Sequence, residues 1–221
     1  MAVNLNPTSE PVFTYLHEQI ISMQILPGQK LSENSLSKQF QVSRTPIREV
    51  IAKLVSLGLV EVKVKSGTFV SKLSIEKITE AQFIREAIET AIVSKVASAK
   101  PQKTIVECEE IIEQQRIAAA ENHAIKFQYL DDKFHQTLAD FTGFDRAASI
   151  IQFEKAHLDR VRNLSLKEFG GQYDRVLTQH KQILNAIKQQ NPQQAAEYMA
   201  LHTREILTVL EQIKAKHADY F

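Results

Sequence analysis

Two short helical patterns separated by a three-residue turn are the feature that most limits how this chain can fold. The first pattern, residues 31–40, follows the helix-breaking letters LPG at 26–28 and begins with Ser32, a suitable N-cap. Residues 41–43 form the turn, and a second pattern follows until Gly58, a good residue to end a helix. Two short helices joined in this way predict a helix-turn-helix.

The start of the second helix carries two cations on one face. Ser43 is placed to cap this helix, and Pro46 lies in its first turn, where no backbone hydrogen bond is lost. Arg44 and Arg48 are four residues apart and project from the same side, while Thr45 adds a hydroxyl. Such a helix start suits base edges and phosphates. Taken alone, a solvated surface helix with two charges would give the same pattern.

An alternating segment follows this helix. Residues 59–64 alternate as a strand does, 65–67 form a turn, and 68–70 return as a second strand. The hairpin predicts a wing, in which Lys65 and the backbone at Gly67, with Lys63, could reach phosphates or a minor groove. The alternative is a hairpin that only covers the helices and carries incidental lysines.

Five short motifs in this region keep a fixed spacing: LPG at 26–28, LSE at 31–33, SRTPIRE at 43–49, LGLV at 57–60 and GTFV at 67–70. This run, about residues 10–71, resembles the winged helix of GntR-family transcription regulators. The resemblance implies that Arg44, Thr45 and Arg48 contact operator DNA and that Gly67 lies at the wing tip. Asn34 and Ser66 differ from the residues common at their positions, so the operator sequence stays open.

Composition favours a mainly α protein with a basic front. Six glycines and no tryptophan among 221 residues argue against an all-β fold full of tight turns. Residues 1–73 hold eight basic and five acidic residues, whereas the rest holds 19 basic and 21 acidic ones, which suggests a polyanion-binding module joined to something else.

The single cysteine, Cys108, excludes an intrachain disulfide framework. The polar start from Met1 to Pro11 and the lack of a membrane-length apolar stretch predict a cytoplasmic protein with no membrane partner.

Helical patterns fill the chain from Ile75 onward. Breaks occur at Pro101, Asn122, Thr142-Gly143, Gly170-Gly171 and Asn191-Pro192. About six helices with short loops predict an antiparallel bundle. The expected architecture is therefore an N-terminal winged helix-turn-helix DNA-binding domain over residues 1–73 and a C-terminal all-α bundle over residues 74–221.

Three helices of this bundle carry metal-ligating side chains on partly apolar faces. Asp131 and His135 are four residues apart and can hold one ion together. His180 shares a stripe with Ile183, and His202 lies beside Ile206 on the last helix. Spacing alone shows only that Asp131 and His135 are close, and a single histidine is more often a hydrogen-bonded core or surface group.

The motifs around these residues are DDKFH at 131–135, QHKQIL at 179–184 and MALH at 199–202. They look like the metal motifs of the FCD effector domain, the ligand-binding partner of the winged helix in the FadR-type GntR branch. The resemblance spans about residues 76–215 and implies a metal site formed by Asp131, His135, His180 and His202. It also implies a homodimer and a small organic acid as effector.

The donor set and nearby cations define what such a site would bind. Three imidazoles and one carboxylate suit Zn²⁺, Ni²⁺ or another first-row divalent ion better than Mg²⁺ or Ca²⁺. Arg85, in the Arg-x-x-x-Glu pattern typical of the domain's first helix, and Arg160 and Arg162 are candidates to hold the acid. The alternative to acid binding is that Arg85 pairs with Glu89 within its own helix and that Arg160 and Arg162 are solvated on the surface.

Together these features predict a ligand-responsive transcription regulator, most simply a repressor that binds double-stranded operator DNA as a dimer. A metal-dependent hydrolase fused to a DNA-binding head is a rival, because an Asp/His site can activate water. Against an enzyme, no general base stands at motif spacing, and residues 10–71 would have no purpose. A DNA-binding protein with a purely structural metal is the third possibility.

Overall fold

The computed structural model describes residues 8–221, which form two compact units. One unit contains the chain up to Ile75 together with Lys214–Phe221, and the other contains Glu76–Ile213. The expected polar start from Met1 to Pro11 lies partly outside the described residues. Across residues 8–221, no helix has both the length and the apolar character that are needed to cross a bilayer.

The first unit is a winged helix. Its elements are α1 (Ser9–Ile21), β1 (Lys30–Leu31), α2 (Glu33–Phe40), α3 (Arg44–Ser56), β2 (Val60–Lys63), β3 (Gly67–Val70) and the short 3₁₀ helix η1 (Ala218–Tyr220). The sheet is antiparallel in the order β1-β3-β2. The helix-turn-helix and the hairpin are as predicted. Strand β1 was not predicted, because two residues give no alternation to detect.

The core of this unit leaves the start of α3 exposed. Helix α1 packs on α3, and Leu16, Ile20, Ile47 and Leu54 are almost fully buried between them. Apolar residues at helical spacing thus turn one face of α3 inward. The opposite face at its N-terminal end, with Arg44, remains in solvent.

The second unit is an all-α bundle of six helices within the described chain. They are α4 (Ile75–Ala99), α5 (Gln102–Ala120), α6 (Ala124–Phe141), α7 (Asp145–Glu168), α8 (Gln172–Lys188) and α9 (Pro192–Lys216). Helix α9 runs on past Ile213, so its last turn belongs to the first unit. The mainly α architecture and the positions of the helix breaks agree with the sequence prediction.

The core of the bundle lies where α5 packs on α6 and α8. Phe127, Phe134 and Ile183 are among its fully buried side chains. On α4 the apolar Phe83 lies outside the core, with its side chain 71% exposed. Polar Arg85 and Glu89 are turned inward instead, which places charge beside the candidate metal ligands.

Candidate metal centre and nucleic-acid interface

Three helices of the bundle bring four potential metal ligands together. Asp131 and His135 lie one turn apart on α6, His180 lies on α8 and His202 on α9, and all four are buried. One ligand atom from each lies within 4.8 Å of the others. The convergence of α8 and α9 on α6 is the step that residue spacing could not supply.

The nitrogen and oxygen atoms that face one another are closely spaced. The Nε2 atoms of His135 and His202 are 3.0 Å apart. His180 Nε2 lies 3.3 Å from Asp131 Oδ1, and His135 Nε2 lies 3.9 Å from Asp131 Oδ2. These separations suit a cluster of donors around one shared ion.

Two of the imidazoles are oriented by glutamine side chains. His180 Nδ1 lies 2.8 Å from Oε1 of Gln115, and His202 Nδ1 lies 2.8 Å from Oε1 of Gln179. An amide oxygen only accepts, so each imidazole donates its proton from Nδ1 and keeps a lone pair on Nε2. Histidine ligands of metals are commonly oriented in this way.

A buried carboxylate orients the third imidazole. Glu89 Oε2 lies 2.5 Å from His135 Nδ1, and the carboxylate also accepts a hydrogen bond from Arg85 Nε. His135 therefore also presents the lone pair of Nε2. The sequence pattern indicated Glu89 only as a partner of Arg85. Arg85, Glu89 and Ile92 share the buried side of α4, and this stripe was the signal that Glu89 could also orient a histidine.

This arrangement fits a cation. Two Nε2 lone pairs cannot hydrogen-bond to each other, so the close approach of His135 and His202 is unfavourable without positive charge between them. Among residues 8–221, Nε2 of His180 has no hydrogen-bond partner although it is buried. A divalent ion would satisfy these lone pairs together with the Asp131 carboxylate.

Burial keeps the imidazoles in the form that binds metal. It lowers the pKa of His180 and His202 well below the ordinary 6.5, and it also lowers the pKa of His135. The ring of Phe134 stacks on His180 with centroids 4.1 Å apart, which contributes to its removal from water. Neutral imidazole is the metal-binding form.

The carboxylate of Glu89 remains charged in the same surroundings. Burial raises its pKa, but Arg85 and His135 outweigh that effect, and the net shift is downward. Burial similarly disfavours the cation of Arg85, yet the Glu89 carboxylate leaves its pKa raised. The pair is therefore a buried ion pair rather than a surface contact.

A pocket opens directly beside the ligands. Its lining includes Arg85, Arg162, Gln179, His202 and Thr203. Its volume is about 60 Å³, and a water needs roughly 10–15 Å³ by the same measure, so the space suits a molecule of a few non-hydrogen atoms. Two cations and several hydrogen-bonding groups make it suitable for a small anion.

The candidate arginines on α7 occupy different positions. Arg162 forms ion pairs with Asp131, Asp132 and Asp159 and lines the pocket. Arg160, two residues earlier, is 2% exposed and is not part of the pocket lining. Residues two apart on a helix point to different sides, which explains the division. Burial lowers the pKa of both guanidinium groups.

A charge network links α6 and α7. Lys155 Nζ lies 2.6 Å from Oδ2 of both Asp132 and Asp159. Burial, with the nearby Asp159, raises the pKa of Asp132 to about 7 in spite of Lys155. Asp132 thus belongs to this network and not to the ligand cluster.

The candidate DNA-reading residues are exposed at the start of α3. Gln41 adopts a left-handed conformation with φ 55° in the turn before it. Arg44, Thr45 and Arg48 are all exposed, and Arg48 Nε donates to Glu33 Oε2 of α2 at 3.0 Å. Ser43 occupies the predicted N-cap position, but its side chain makes no capping hydrogen bond.

In the wing, Lys65 lies in the turn between β2 and β3, whereas Gly67, predicted in that turn, is the first residue of β3. Lys65 has φ 61° and Gly67 has φ 120°, both in the left-handed half of backbone space. Gly67 pairs with Lys63 at the end of the ladder. Lys65 is exposed, so its ammonium is available to an anionic partner.

Family comparisons match both parts of the chain. Residues 8–70 match the model described as "Bacterial regulatory proteins, gntR family", and residues 80–205 match the FCD domain. The HTH-type transcriptional repressor RspR of Escherichia coli (strain K12) is 33% identical over 220 residues, covering 98% of this chain and 96% of the relative. The gluconate operon transcriptional repressor of Bacillus subtilis (strain 168) is 27% identical over 217 residues, covering 93% of this chain and 88% of the relative.

Solved structures share the fold. Escherichia coli McbR/YncC superimposes with a TM-score of 0.78 at 17% identity, covering 94% of this chain and 99% of that chain. At this identity the similarity concerns the architecture of the winged helix and the bundle.

Proposed function

We propose that this chain, which belongs to the GntR family of bacterial regulatory proteins and is a transcription regulator, binds operator DNA under the control of a small organic acid held at a metal ion in its FCD domain. Its family and its relatives are regulators and not enzymes. We assign DNA binding to residues 1–73, and effector binding and dimerisation to residues 74–221. Relatives named as repressors favour repression as the sense of control.

The observation that carries the proposal is the set of lone pairs that face one another between α6, α8 and α9. Asp131, His135, His180 and His202 would hold the ion. Three neutral imidazoles and one carboxylate favour Zn²⁺ or Ni²⁺ over Mg²⁺ or Ca²⁺. A bound divalent ion would supply positive charge that attracts a carboxylate.

The effector would occupy the adjoining pocket. Arg85 lines it and could donate from its terminal nitrogens to a carboxylate while its Nε stays on Glu89. Arg162 also lines it and adds positive charge, although its own nitrogens already pair with Asp131, Asp132 and Asp159. The Gln179 side-chain NH₂ could donate to a second carboxylate, and Thr203 Oγ1, whose proton goes to the Met199 carbonyl, could accept from a hydroxyl. These groups favour a small anionic metabolite, and the apolar residues of the same lining, such as Phe127 and Ile206, would contact its carbon atoms.

In the winged-helix unit, α3 would enter the major groove. Arg44, Thr45 and Arg48 would contact base edges and phosphates, and the backbone near Ser43 would approach the phosphates. Lys65 and Gly67 would bring the wing against the DNA backbone. Two copies in a dimer would place two such helices on an operator with two-fold symmetry.

Control requires that the acid bind two arrangements of the protein with different affinity. A ligand with equal affinity for both would change nothing, however tightly it bound. Coupling of this kind commonly amounts to roughly 1–3 kcal/mol, or 5- to 150-fold in DNA affinity. The acid should weaken operator binding within that range.

The test is a thermal-shift screen of small metabolite acids on protein loaded with Zn²⁺ or Ni²⁺, followed by operator release with any hit. We expect one chemical class of acid to raise the melting temperature and to release DNA. The matched control is His180→Ala, in which the acid should have neither effect. A metal that binds while no acid changes DNA affinity would contradict effector control and leave a structural ion.

A further inference from the structure

Strand β1 places a lysine next to the wing. Lys30 pairs with Phe69, and Leu31 with Thr68, at one edge of β3. Strand β2 pairs at the other edge, where Lys63 is opposite Gly67. Since side chains alternate along a strand, Leu31 is buried while Lys30 is exposed. Two lysines thus flank the central strand from opposite edges.

Both lysines lie over the same aromatic ring. The Nζ atom of Lys30 is 5.7 Å from the centroid of Phe69, and that of Lys63 is 5.4 Å from it. A cation over an aromatic ring is attracted by the negative face of the ring. The ring therefore holds two ammonium groups on one face of the sheet. Glu61 Oε1, 2.9 Å from Lys63 Nζ, balances one of them.

Gly67 makes room for the Lys30 side chain. A Cβ atom at this position would lie 2.8 Å from Lys30 Cε and 3.3 Å from Lys30 Nζ. The lysine stem consequently crosses directly over the Gly67 backbone, at the start of β3. The φ of 120° favours a glycine here, and any Cβ would also push the end of the Lys30 side chain aside.

Lys30 therefore joins the two lysines of the wing, although it is more than 30 residues away from them in the sequence. Lys30 comes from β1, Lys63 from the end of β2 and Lys65 from the turn. Ammonium groups on flexible stems act as point charges with three donors, which suits a phosphate oxygen better than a base edge. Several exposed lysines on the wing of a DNA-binding module fit the DNA backbone.

We propose that Lys30, seated over Gly67 and beside Lys63 on the Phe69 ring, contacts a DNA phosphate at the wing. This inference rests on the DNA-binding function proposed above and adds a residue outside the helix-turn-helix and the wing hairpin. The contact strengthens binding to any DNA sequence and orients the wing, while base recognition stays with α3. It should appear as one released counterion in the salt dependence of binding.

The experiment compares wild type with Lys30→Gln on two duplexes of 30 base pairs. One is selected by the wild-type protein from a random library, and the other is an unrelated sequence. Fluorescence anisotropy at several salt concentrations gives the slope of log K against log salt. We expect Lys30→Gln to make this slope shallower by about 0.9 on both duplexes, since one phosphate contact is lost. Lys30→Arg should retain the wild-type slope.

The matched control is Lys53→Gln, which removes the same charge from the same unit. Lys53 Nζ also lies over a ring, 4.0 Å from the centroid of Phe13, and 3.9 Å from Glu10, but it is in the last turn of α3. We expect its slope to equal that of wild type. An equal fall in both variants would show an effect of net charge alone and overturn the inference, as would an unchanged slope in Lys30→Gln. If wild type selects no DNA, the proposed function itself fails.

Discussion

Each buried histidine of the candidate metal centre is held by an acceptor from another helix. Glu89 on α4 holds His135, Gln115 on α5 holds His180, and Gln179 on α8 holds His202. The tautomer of each ring is therefore set by tertiary packing and not by its own helix. Because the acceptors fix Nδ1, the Nε2 atoms are oriented before any ion arrives, which lowers the cost of binding one.

Removal of one ligand tests whether the cluster holds an ion. His180→Ala should abolish stoichiometric Zn²⁺ or Ni²⁺ in purified protein, because three donors remain and a buried space replaces the fourth. The measurement is elemental analysis after gel filtration. His123→Ala is a suitable control, because this histidine lies outside the ligand cluster. Its side chain accepts a hydrogen bond from the backbone N–H of Lys126 at the start of α6. Full metal retention in His180→Ala would contradict the assignment.

The orienting glutamine should matter less than the ligand it supports. Gln115→Ala should weaken metal affinity by roughly 10- to 100-fold without removing the site, the usual cost of losing a supporting hydrogen bond. Competition with a chelator of known affinity measures the change. Gln193→Ala removes an exposed glutamine that bonds only to Glu197 on the same helix face, and should leave affinity unchanged. Equal affinity in Gln115→Ala would mean that Gln115 does not orient His180.

Burial of the histidines also predicts how stability depends on pH. Below the ordinary value of 6.5, the unfolded chain binds protons that folded His135, His180 and His202 do not, because burial lowers each pKa. Stability must then rise with pH from the lowered values up to about 6.5. Asp132, with its pKa raised to about 7, acts in the opposite sense. We expect the combined contribution of the three histidines to the free energy of unfolding to exceed that of Asp132.

We therefore expect metal-free protein to melt at a lower temperature at pH 5.5 than at pH 7, as measured by calorimetry after chelation. His180→Ala should show a smaller difference between the two pH values, since one of the three groups is gone. A melting temperature that is equal or higher at pH 5.5 would contradict neutral buried imidazoles.

At the scale of the elements, α3 combines a buried face with an exposed reading end. Arg48 has 65% of its side chain exposed and a single ion pair to Glu33. Exposed ion pairs contribute about 0–1 kcal/mol to stability. Substitution of Arg48 should therefore affect DNA binding far more than folding.

Arg48→Ala should weaken binding to the selected duplex by about 5- to 150-fold, corresponding to the roughly 1–3 kcal/mol of one base-specific contact. Its binding to an unrelated duplex should change much less. The measurement is anisotropy titration, with thermal melting to verify folding. Lys53→Ala, at the other end of the same helix, is the control. Unchanged specific affinity would contradict the assignment of α3 as the recognition helix.

Helix boundaries were predictable because strong breakers lie between the elements. Pro101, Gly143, Gly171 and Pro192 each fall in or beside a helix junction, and the bundle helices follow them. Strand β1 and the inward side of α4 were not predictable in the same way. The exposed Phe83 gave a misleading apolar signal, and a buried charged pair on the opposite side has no apolar periodicity.

At the scale of the whole molecule, the metal cluster depends on contacts that are remote in sequence. His135 and His202 are 67 residues apart, and their approach depends on how α6 and α9 pack. Local pattern established that each helix carried a ligand on a partly apolar face. Only the family resemblance predicted that those faces meet at one site.

The last segment of the chain also joins remote regions. Residues Lys214–Phe221 group with the winged helix, while α9 carries His202 in the bundle. Within the winged-helix unit, the Leu73 N–H donates to the Tyr220 carbonyl at 2.8 Å, and Lys72 Nζ donates to the Phe221 carbonyl at 2.7 Å. A continuous stretch of backbone thus leads from the candidate ligand His202 into the winged-helix unit.

This connection predicts that the end of the chain transmits the effector signal. Removal of residues 217–221 should leave DNA affinity without acid within about twofold, a change below 0.5 kcal/mol. It should reduce the release of DNA by acid. The end of α9 would still enter the winged-helix unit, but without residues 217–221 it would no longer be hydrogen-bonded to Leu73. The test is operator anisotropy with and without the acid on metal-loaded protein. Tyr220→Ala, which keeps the backbone bond to Leu73 but removes the ring stacked on His217, should retain most of the response. A truncated protein that responds as wild type does would show that the signal passes through residues 71–76 alone.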